Sequence, residues 1–129
     1  MNISPEEYKR MITKKPNKYR NNKVEIKNEI YDSEGEYQRW CVLQDYEKSN
    51  GISNLYRQVT INICHGVSIK FDFMYLDRGE IVFEDWKPPY EERKKRAPWR
   101  HFLTKVRMLK EKKPDQTVLV SSTDGIEEI

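Results

Sequence analysis

Residues 70–89 read KFDFMYLDRGEIVFEDWKPP, and this stretch decides how the rest of the chain is interpreted. Two runs of alternating apolar residues, KFDFMYL and EIVFEDW, flank the tripeptide Asp-Arg-Gly, which is a signal for a tight β-hairpin. If Arg and Gly alone form the loop, Asp72 lies directly opposite Asp85, and a longer loop still leaves the two aspartates as neighbours. Because side chains alternate along a strand, we expect Lys87 on the same face as Asp85 and Glu84 on the other face.

The same alternation predicts an unusual combination of charges on one face of this hairpin. It places Phe71, Phe73 and Tyr75 opposite Asp72, so that two carboxylates and one ammonium share a side of an otherwise apolar strand pair. Like charges that face each other across a ladder repel, and a divalent cation removes the repulsion. Two carboxylates with a nearby lysine are the minimal set for metal-assisted hydrolysis of a phosphodiester.

A simpler interpretation of the hairpin competes with this one. Short charged patterns recur by chance, and a surface hairpin with solvated aspartates and a solvated lysine has the same sequence. The hairpin by itself does not separate the two interpretations.

Charge is unevenly distributed along the 129 residues, although the net charge is only +3. Residues 1–23 carry seven Lys and Arg against two Glu, and residues 91–113 carry ten against three. The intervening residues 24–90 and the final residues 114–129 have an excess of acidic side chains. Two basic segments around an acidic centre are typical of a protein that binds a polyanion near a metal site. Basic segments that are merely solvated at the surface have the same composition.

Composition predicts one domain in a reducing compartment. A chain of this length, with 36% hydrophobic and 35% charged residues, is expected to form a modest core beneath a large polar surface. No apolar run approaches the length of a membrane span, and no signal peptide is visible at the N-terminus. Cys41 and Cys64 are interpreted as buried free thiols, because two cysteines with no further cysteine in the chain make a poor zinc site.

Local signals predict the order of helices and strands, which gives an α/β fold with a mixed sheet. Pro98 is suited to the first turn of a helix, His65-Gly66 to a turn, and Asn50-Gly51 to a helix end. The predicted elements are a short helix from Ser4, a strand at 23–27, a main helix that begins at Asp32-Ser33, strands at 57–64, 67–76 and 80–86, a helix at 99–112 and a strand at 117–121.

Glu36 has two competing interpretations. Ser33-Glu34-Gly35-Glu36 fits a capping box, in which Ser33 caps the main helix and Glu36 reaches back to a backbone N–H group. The same carboxylate, in the first turn of a helix that packs on the hairpin, would complete a metal site. The spacing along the chain is compatible with either role.

The order of elements, with Asp72 and Asp85-Trp86-Lys87 in place, resembles the PD-(D/E)XK nuclease superfamily. More narrowly, the chain resembles a family of small phage-encoded endonuclease-like proteins in that superfamily. The matching stretches are NKYRNNKVEI, YDSEGE, GISNLYRQVTINI, KFDF, VFEDWK and KVRMLK, which fall between residues 17 and 120. Two departures are Phe71 in place of the usual Pro before Asp72, and a long basic segment, PPYEERKKRAPWR, after Lys87.

The resemblance implies an α/β, restriction-endonuclease-like core with a mixed β-sheet flanked by helices, in the order αβββαβ. This core would occupy residues 23–122, between a basic N-terminal helix and arm at 1–22 and a frayed acidic tail at 123–129. The implied activity is a metal-dependent DNA endonuclease of a phage or prophage in the host bacterial cytoplasm. DNA, including branched DNA, is the implied partner, and a homodimer is compatible with such an enzyme.

The resemblance also implies roles for individual residues. Asp72, Asp85 and Glu36 would bind Mg²⁺ or Mn²⁺, and Lys87 would position or activate the attacking water, so that these four are the expected catalytic residues. Gln58 and Lys105 match a glutamine and a basic residue of the family. The residues expected to contact nucleic acid are Tyr19, Arg20, Gln58, Arg93, Lys94, Lys95, Arg96, Arg100 and Lys105. The alternative is a non-catalytic phage protein that retains the fold and binds nucleic acid or a host protein.

Overall fold

The structure is a computed structural model that describes residues 15–16, 22–27 and 29–129. The chain divides into two compact units, residues 1–45 and residues 46–129. The helix predicted from Ser4, together with Tyr19 and Arg20, lies outside the described residues.

The first unit contains a small antiparallel sheet and most of the main helix. Strands β1 (Lys15–Pro16), β2 (Asn22–Ile26) and β3 (Glu29–Tyr31) pair in the order β1-β2-β3, and helix α1 (Glu34–Lys48) follows. The predicted strand at 23–27 and the predicted start of the main helix are therefore confirmed. A local core holds the sheet and the first turns of α1 together, and its buried members are Val24, Ile26, Tyr31 and Tyr37.

The second unit is built on a five-stranded mixed sheet, which confirms the predicted α/β class. Its strands are β4 (Ser53–Cys64), β5 (Val67–Asp77), β6 (Glu80–Trp86), β7 (Thr117–Ser122) and β8 (Gly125–Glu128), in the order β4-β5-β6-β7-β8. Strands β6 and β7 are parallel, and the other neighbours are antiparallel. Helices α2 (Tyr90–Arg93) and α3 (Ala97–Lys112) form the connection between the two parallel strands.

The central hairpin has the predicted register. Asp77 pairs with Glu80 and Phe73 with Glu84, so Arg78 and Gly79 are the only loop residues. Both loop residues have positive φ, 54° and 81°. This is the type I′ geometry, whose twist matches that of the strands it joins.

Helix α3 packs on the sheet with the predicted face. Its residues Trp99, Phe102, Val106 and Leu109 are buried and recur at helical spacing. They share one hydrophobic core with sheet residues that include Ile63, Ile69, Phe71, Phe83, Val118 and Val120. This core holds α3 against the sheet, where the helix contacts strands β4 and β5.

The regular alternation of β5 breaks near Asp72, and here the sequence expectation was wrong. Phe71 stacks on Phe83 in the core beneath α3, with ring centroids 4.8 Å apart. Phe73 pairs with Glu84 on the adjacent strand, one position away from the Met74–Phe83 pair, and therefore points to the opposite face from Phe83. Phe71 and Phe73 thus lie on different faces, because the strand is irregular between them.

The C-terminal residues also differ from the expectation. The predicted frayed tail at 123–129 contains strand β8, which pairs antiparallel with β7 from Leu119–Glu128 to Ser122–Gly125. Gly125, with φ of 121°, allows the chain to reverse directly after β7. An acidic composition did not prevent strand formation here, because β7 supplies an edge with which the backbone pairs.

Candidate metal centre

Asp72 and Asp85 close the open end of the β5–β6 hairpin with their side chains. The Asp72 backbone N–H donates to Asp85 Oδ1 at 2.8 Å, and the Trp86 N–H donates to Asp72 Oδ2 at 2.9 Å. The last ladder pair of this hairpin is Phe73–Glu84, so these contacts begin where the ladder stops. The strand irregularity at Asp72 is what brings the two carboxylates to adjacent backbone groups.

Lys87 and Gln58 contact the same pair of carboxylates. Lys87 Nζ lies 2.7 Å from Asp85 Oδ2, and Gln58 Nε2 donates to Asp72 Oδ1 at 3.4 Å. Lys87 is held by its backbone as well, since its N–H donates to the Ser121 carbonyl at 2.9 Å. Four residues singled out from the sequence therefore form one connected cluster, and its formal charge is −1.

Gln58 reaches the cluster from an irregular point in β4. Its φ is 54°, in the left-handed region that a residue with a side chain rarely adopts. The ladder pairs on either side of it are Arg57–Phe73 and Val59–Phe71, so Gln58 stands across from Asp72. Both neighbouring strands are thus irregular at the level of the candidate site, as is common where strain serves a function.

The chemistry of this cluster fits a hard divalent cation. Mg²⁺ and Mn²⁺ prefer oxygen ligands, and one or two carboxylates with water and substrate phosphate are a usual set. Asp85 is only 5% exposed, and an ionised carboxylate has about four acceptor positions, more than its contacts with Asp72 and Lys87 require. The net negative charge of the cluster would also favour a bound cation.

Glu36 lies in the first unit, where its described contacts are those of a helix cap. Its backbone N–H donates to Ser33 Oγ at 3.1 Å, and its Oε2 accepts the Asp32 N–H at 2.7 Å. The predicted capping interaction is therefore present, with Asp32 rather than Ser33 donating to the carboxylate. Metal binding by Glu36 stays a prediction.

The predicted basic contact residues fall into different environments. Lys95, Arg96 and Arg100 are exposed, whereas Lys94 is half-buried and forms an ion pair with Glu91. Lys105 is half-buried on α3. The first three remain available to a polyanion at the start of α3.

Arg93 does not fit the predicted role in nucleic-acid binding. It is only 3% exposed, and its guanidinium donates to the Pro88 carbonyl at 2.8 Å and to Glu127 Oε2 at 3.1 Å. Its Cζ also lies 4.4 Å from the centroid of the Trp99 ring. The run of basic residues suggested that Arg93 is a solvated cation. In the fold, its contacts instead connect the segment at Pro88, helix α3 and strand β8.

Two features near the site were missed from the sequence. Glu84 is fully buried on the other face of β6 and accepts hydrogen bonds from Tyr75 Oη and Ser121 Oγ, both at 2.8 Å. The ring of Phe102 lies 4.3 Å from Lys87 Nζ. Alternation along β6 predicts that Glu84 lies on the face opposite Asp85. The contacts of Glu84 with Ser121 and of Lys87 with Phe102 become evident only from the packing of β7 and α3.

Comparisons with family models, with curated proteins and with solved structures found no match. Among the described residues, no helix combines the length and the apolar character needed to cross a membrane. The residues and geometry of the candidate site are therefore the basis on which a function can be inferred.

Proposed function

We propose that this protein is a Mg²⁺- or Mn²⁺-dependent DNA endonuclease with a restriction-endonuclease-like core. The observation that carries the proposal is the connected cluster of Asp72, Asp85 and Lys87 at the open end of one hairpin. These residues supply oxygen ligands and a fixed cation in contact with one another, which are the groups that hydrolysis of a phosphodiester requires.

The residues of the cluster have distinct proposed roles. Asp72 and Asp85 hold the divalent ion, with Glu36 as a further predicted ligand. When bound, the ion offsets the negative charge that develops on the phosphate oxygens. The Lys87 ammonium orients the attacking water and faces the scissile phosphate, and Gln58 helps to orient Asp72 through its amide.

The basic segment after Lys87 supplies the proposed DNA contacts. Lys95, Arg96 and Arg100 are exposed cations near the start of α3, and cations in such positions neutralise backbone phosphates without reading sequence. The proposal includes branched DNA as a substrate, a homodimer that presents two sites to two strands, and a phage protein in the host bacterial cytoplasm.

A cleavage assay tests the proposal directly. Labelled duplex, single-stranded, flap, fork and four-way-junction DNAs are incubated with the protein in Mg²⁺, Mn²⁺ or EDTA. We expect metal-dependent cutting of at least one substrate, and we expect Lys87→Ala to abolish it. Lys70→Ala is the matched control, because Lys70 is an exposed lysine on the neighbouring strand β5.

The outcomes separate the proposal from its alternative. Cutting that depends on metal and on Lys87, but not on Lys70, supports the nuclease. DNA binding without cutting in every metal condition contradicts it.

A second candidate is a non-catalytic nucleic-acid-binding or host-protein-binding protein that keeps this fold. It is favoured by one observation, which is that both aspartates already accept backbone N–H groups and so have a structural role. On this view the exposed cations bind nucleic acid, and the carboxylates only close the hairpin.

A further inference from the structure

The Lys87 ammonium lies over one aromatic ring of α3, and a second ring of the same helix stacks on the first. The Lys87 ammonium is 4.3 Å from the centroid of Phe102, and Phe102 stacks on Trp99 with centroids 5.7 Å apart and an interplanar angle of 23°. A cation within about 6 Å of a ring centroid is attracted by the negative face of the ring. Phe102 therefore contributes to the position of the ammonium as well as to the core.

A second cation lies beside the other ring of this pair. The guanidinium carbon of Arg93 is 4.4 Å from the centroid of Trp99. Arg93, Trp99, Phe102 and Lys87 thus form a continuous series of contacts, which we call the Lys87 stack. Each of the two aromatic rings has a cation as one of its neighbours.

Arg93 also fixes the backbone immediately after Lys87. One nitrogen of its guanidinium donates to the Pro88 carbonyl at 2.8 Å, and another donates to Glu127 on β8 at 3.1 Å. A planar guanidinium holds two acceptors in a defined relative geometry, which an ammonium does not. The same residue therefore supports Lys87 through the chain and through the aromatic rings.

Lysine needs such support if its ammonium is to act at a fixed place. Its four-carbon side chain is flexible and has considerable rotamer entropy, so a single ion pair leaves much of that freedom in place. Asp85 contacts the ammonium from one direction at 2.7 Å, and the Phe102 ring contacts it from another. Together they define a narrow position for the nitrogen.

We propose that Phe102, Trp99 and Arg93 are positioning residues that hold the Lys87 ammonium beside Asp85. The consequence for catalysis rests on the nuclease function proposed above. The positioning itself is a property of the folded protein and does not require any substrate.

A double-mutant cycle on stability tests the positioning without reference to activity. Phe102→Leu, Lys87→Met and the double variant are compared with the unchanged protein by urea unfolding. If Phe102 holds Lys87, Phe102→Leu lowers the unfolding midpoint less in the Lys87→Met background than in the unchanged protein, because contacting residues are not additive. Additive effects would overturn the proposal.

Leu109→Ala is the matched control for this cycle. Leu109 is buried in the same core and lies two turns further along α3. Its effect should add to that of Lys87→Met, as is usual for residues without a direct contact. If Phe102→Leu does not fold, Phe102→Met takes its place in the cycle, because it removes the ring while keeping a similar volume.

Single-turnover cleavage then measures the catalytic consequence. At saturating DNA, we expect Phe102→Leu to lower the rate by about tenfold or more while DNA affinity is unchanged, because a displaced catalytic group costs rate rather than binding. Phe102→Tyr retains the ring face and should stay close to the original rate. Leu109→Ala should also leave the rate close to the original, although it destabilises the fold.

The two proposals fail in different ways. A coupled stability cycle with no cleavage by the unchanged protein would contradict the nuclease while the positioning stands. Cleavage by the unchanged protein, with Phe102→Leu no slower than Leu109→Ala, would overturn the positioning while the nuclease stands.

Discussion

The two ends of the β5–β6 hairpin are closed by different kinds of interaction. At the turn end, backbone pairing continues to Asp77–Glu80, and a two-residue loop with positive φ joins the strands. At the open end, the ladder stops at Phe73–Glu84, and the side chains of Asp72 and Asp85 accept backbone N–H groups instead. One end is built from local backbone conformation and the other from charged side chains.

This difference shows where the fold departs from the arrangement of lowest electrostatic free energy. Backbone pairing needs no counter-charge, whereas two neighbouring carboxylates at a partly buried site repel each other. Lys87 offsets one of these charges, and the net negative charge of the cluster would be offset by a cation. Departures from local rules of this kind are expected at functional sites.

The largest expected effect comes from removing the buried carboxylate at the open end. Asp85→Ala deprives the Asp72 N–H of its acceptor and Lys87 of its ion-pair partner, so we expect the free energy of unfolding to fall by about 3 kcal/mol. Urea unfolding measures this change. The control is Asp77→Ala at the exposed turn end, which should change the free energy by less than about 0.5 kcal/mol. Equal losses at the two ends would contradict the contrast between them.

Divalent metal should stabilise the open end alone. At about 100 times the dissociation constant, Mg²⁺ or Mn²⁺ is expected to raise the free energy of unfolding by about 2.7 kcal/mol through binding to the folded state. Unfolding in MgCl₂ or MnCl₂ is compared with unfolding in NaCl of equal ionic strength. Asp72→Asn should remove the gain and Asp77→Asn should keep it. A gain that survives in Asp72→Asn would place the ion elsewhere.

The turn end should respond to changes in backbone freedom. Gly79 has φ of 81°, and a Cβ at this position meets no atom within 4 Å, so a substitution is opposed by conformation and not by crowding. We expect Gly79→Ala to lower the free energy of unfolding by about 1 kcal/mol. The metal-dependent gain should be unchanged in this variant. Loss of that gain would mean that the two ends are coupled.

The smallest expected effect is a gain in stability at the same turn. Arg78 has φ of 54°, which asparagine tolerates better than arginine, and Asn-Gly is the preferred type I′ pair. Arg78→Asn should raise the free energy of unfolding by about 0.5 kcal/mol. Arg78→Ala is the control, because alanine has no side chain that stabilises positive φ. A gain from alanine as large as that from asparagine would exclude turn conformation as its cause.

Features that depend on neighbours along the chain were predictable. The hairpin register follows from the Arg78-Gly79 loop, and the start of α1 follows from Ser33 and its capping partner Glu36. The buried stripe of α3 follows from helical spacing. In each of these cases, residues within a few positions of one another supply the interaction that sets the structure.

Features that depend on distant segments were not predictable. Arg93 belongs to a run of cations, yet in the fold its guanidinium pairs with Glu127, which is 34 residues away along the chain. The acidic tail, by contrast, becomes β8 by pairing with the adjacent strand β7, and its acidic composition concealed this local partner. The local pattern around Arg93 does not contain Glu127, and the composition of the tail does not show that the chain reverses at residues 123–124.

The candidate site combines both kinds of information. The sequence by itself determined which residues the hairpin brings to its open end, because register and alternation place Asp72 near Asp85 and Lys87 beside it. Only the tertiary structure decided the irregularity at Asp72, the approach of Gln58 from β4 and the ring of Phe102 beneath Lys87. Chain geometry specifies neighbours within a hairpin, whereas the packing of α3 and β4 against that hairpin depends on the whole core.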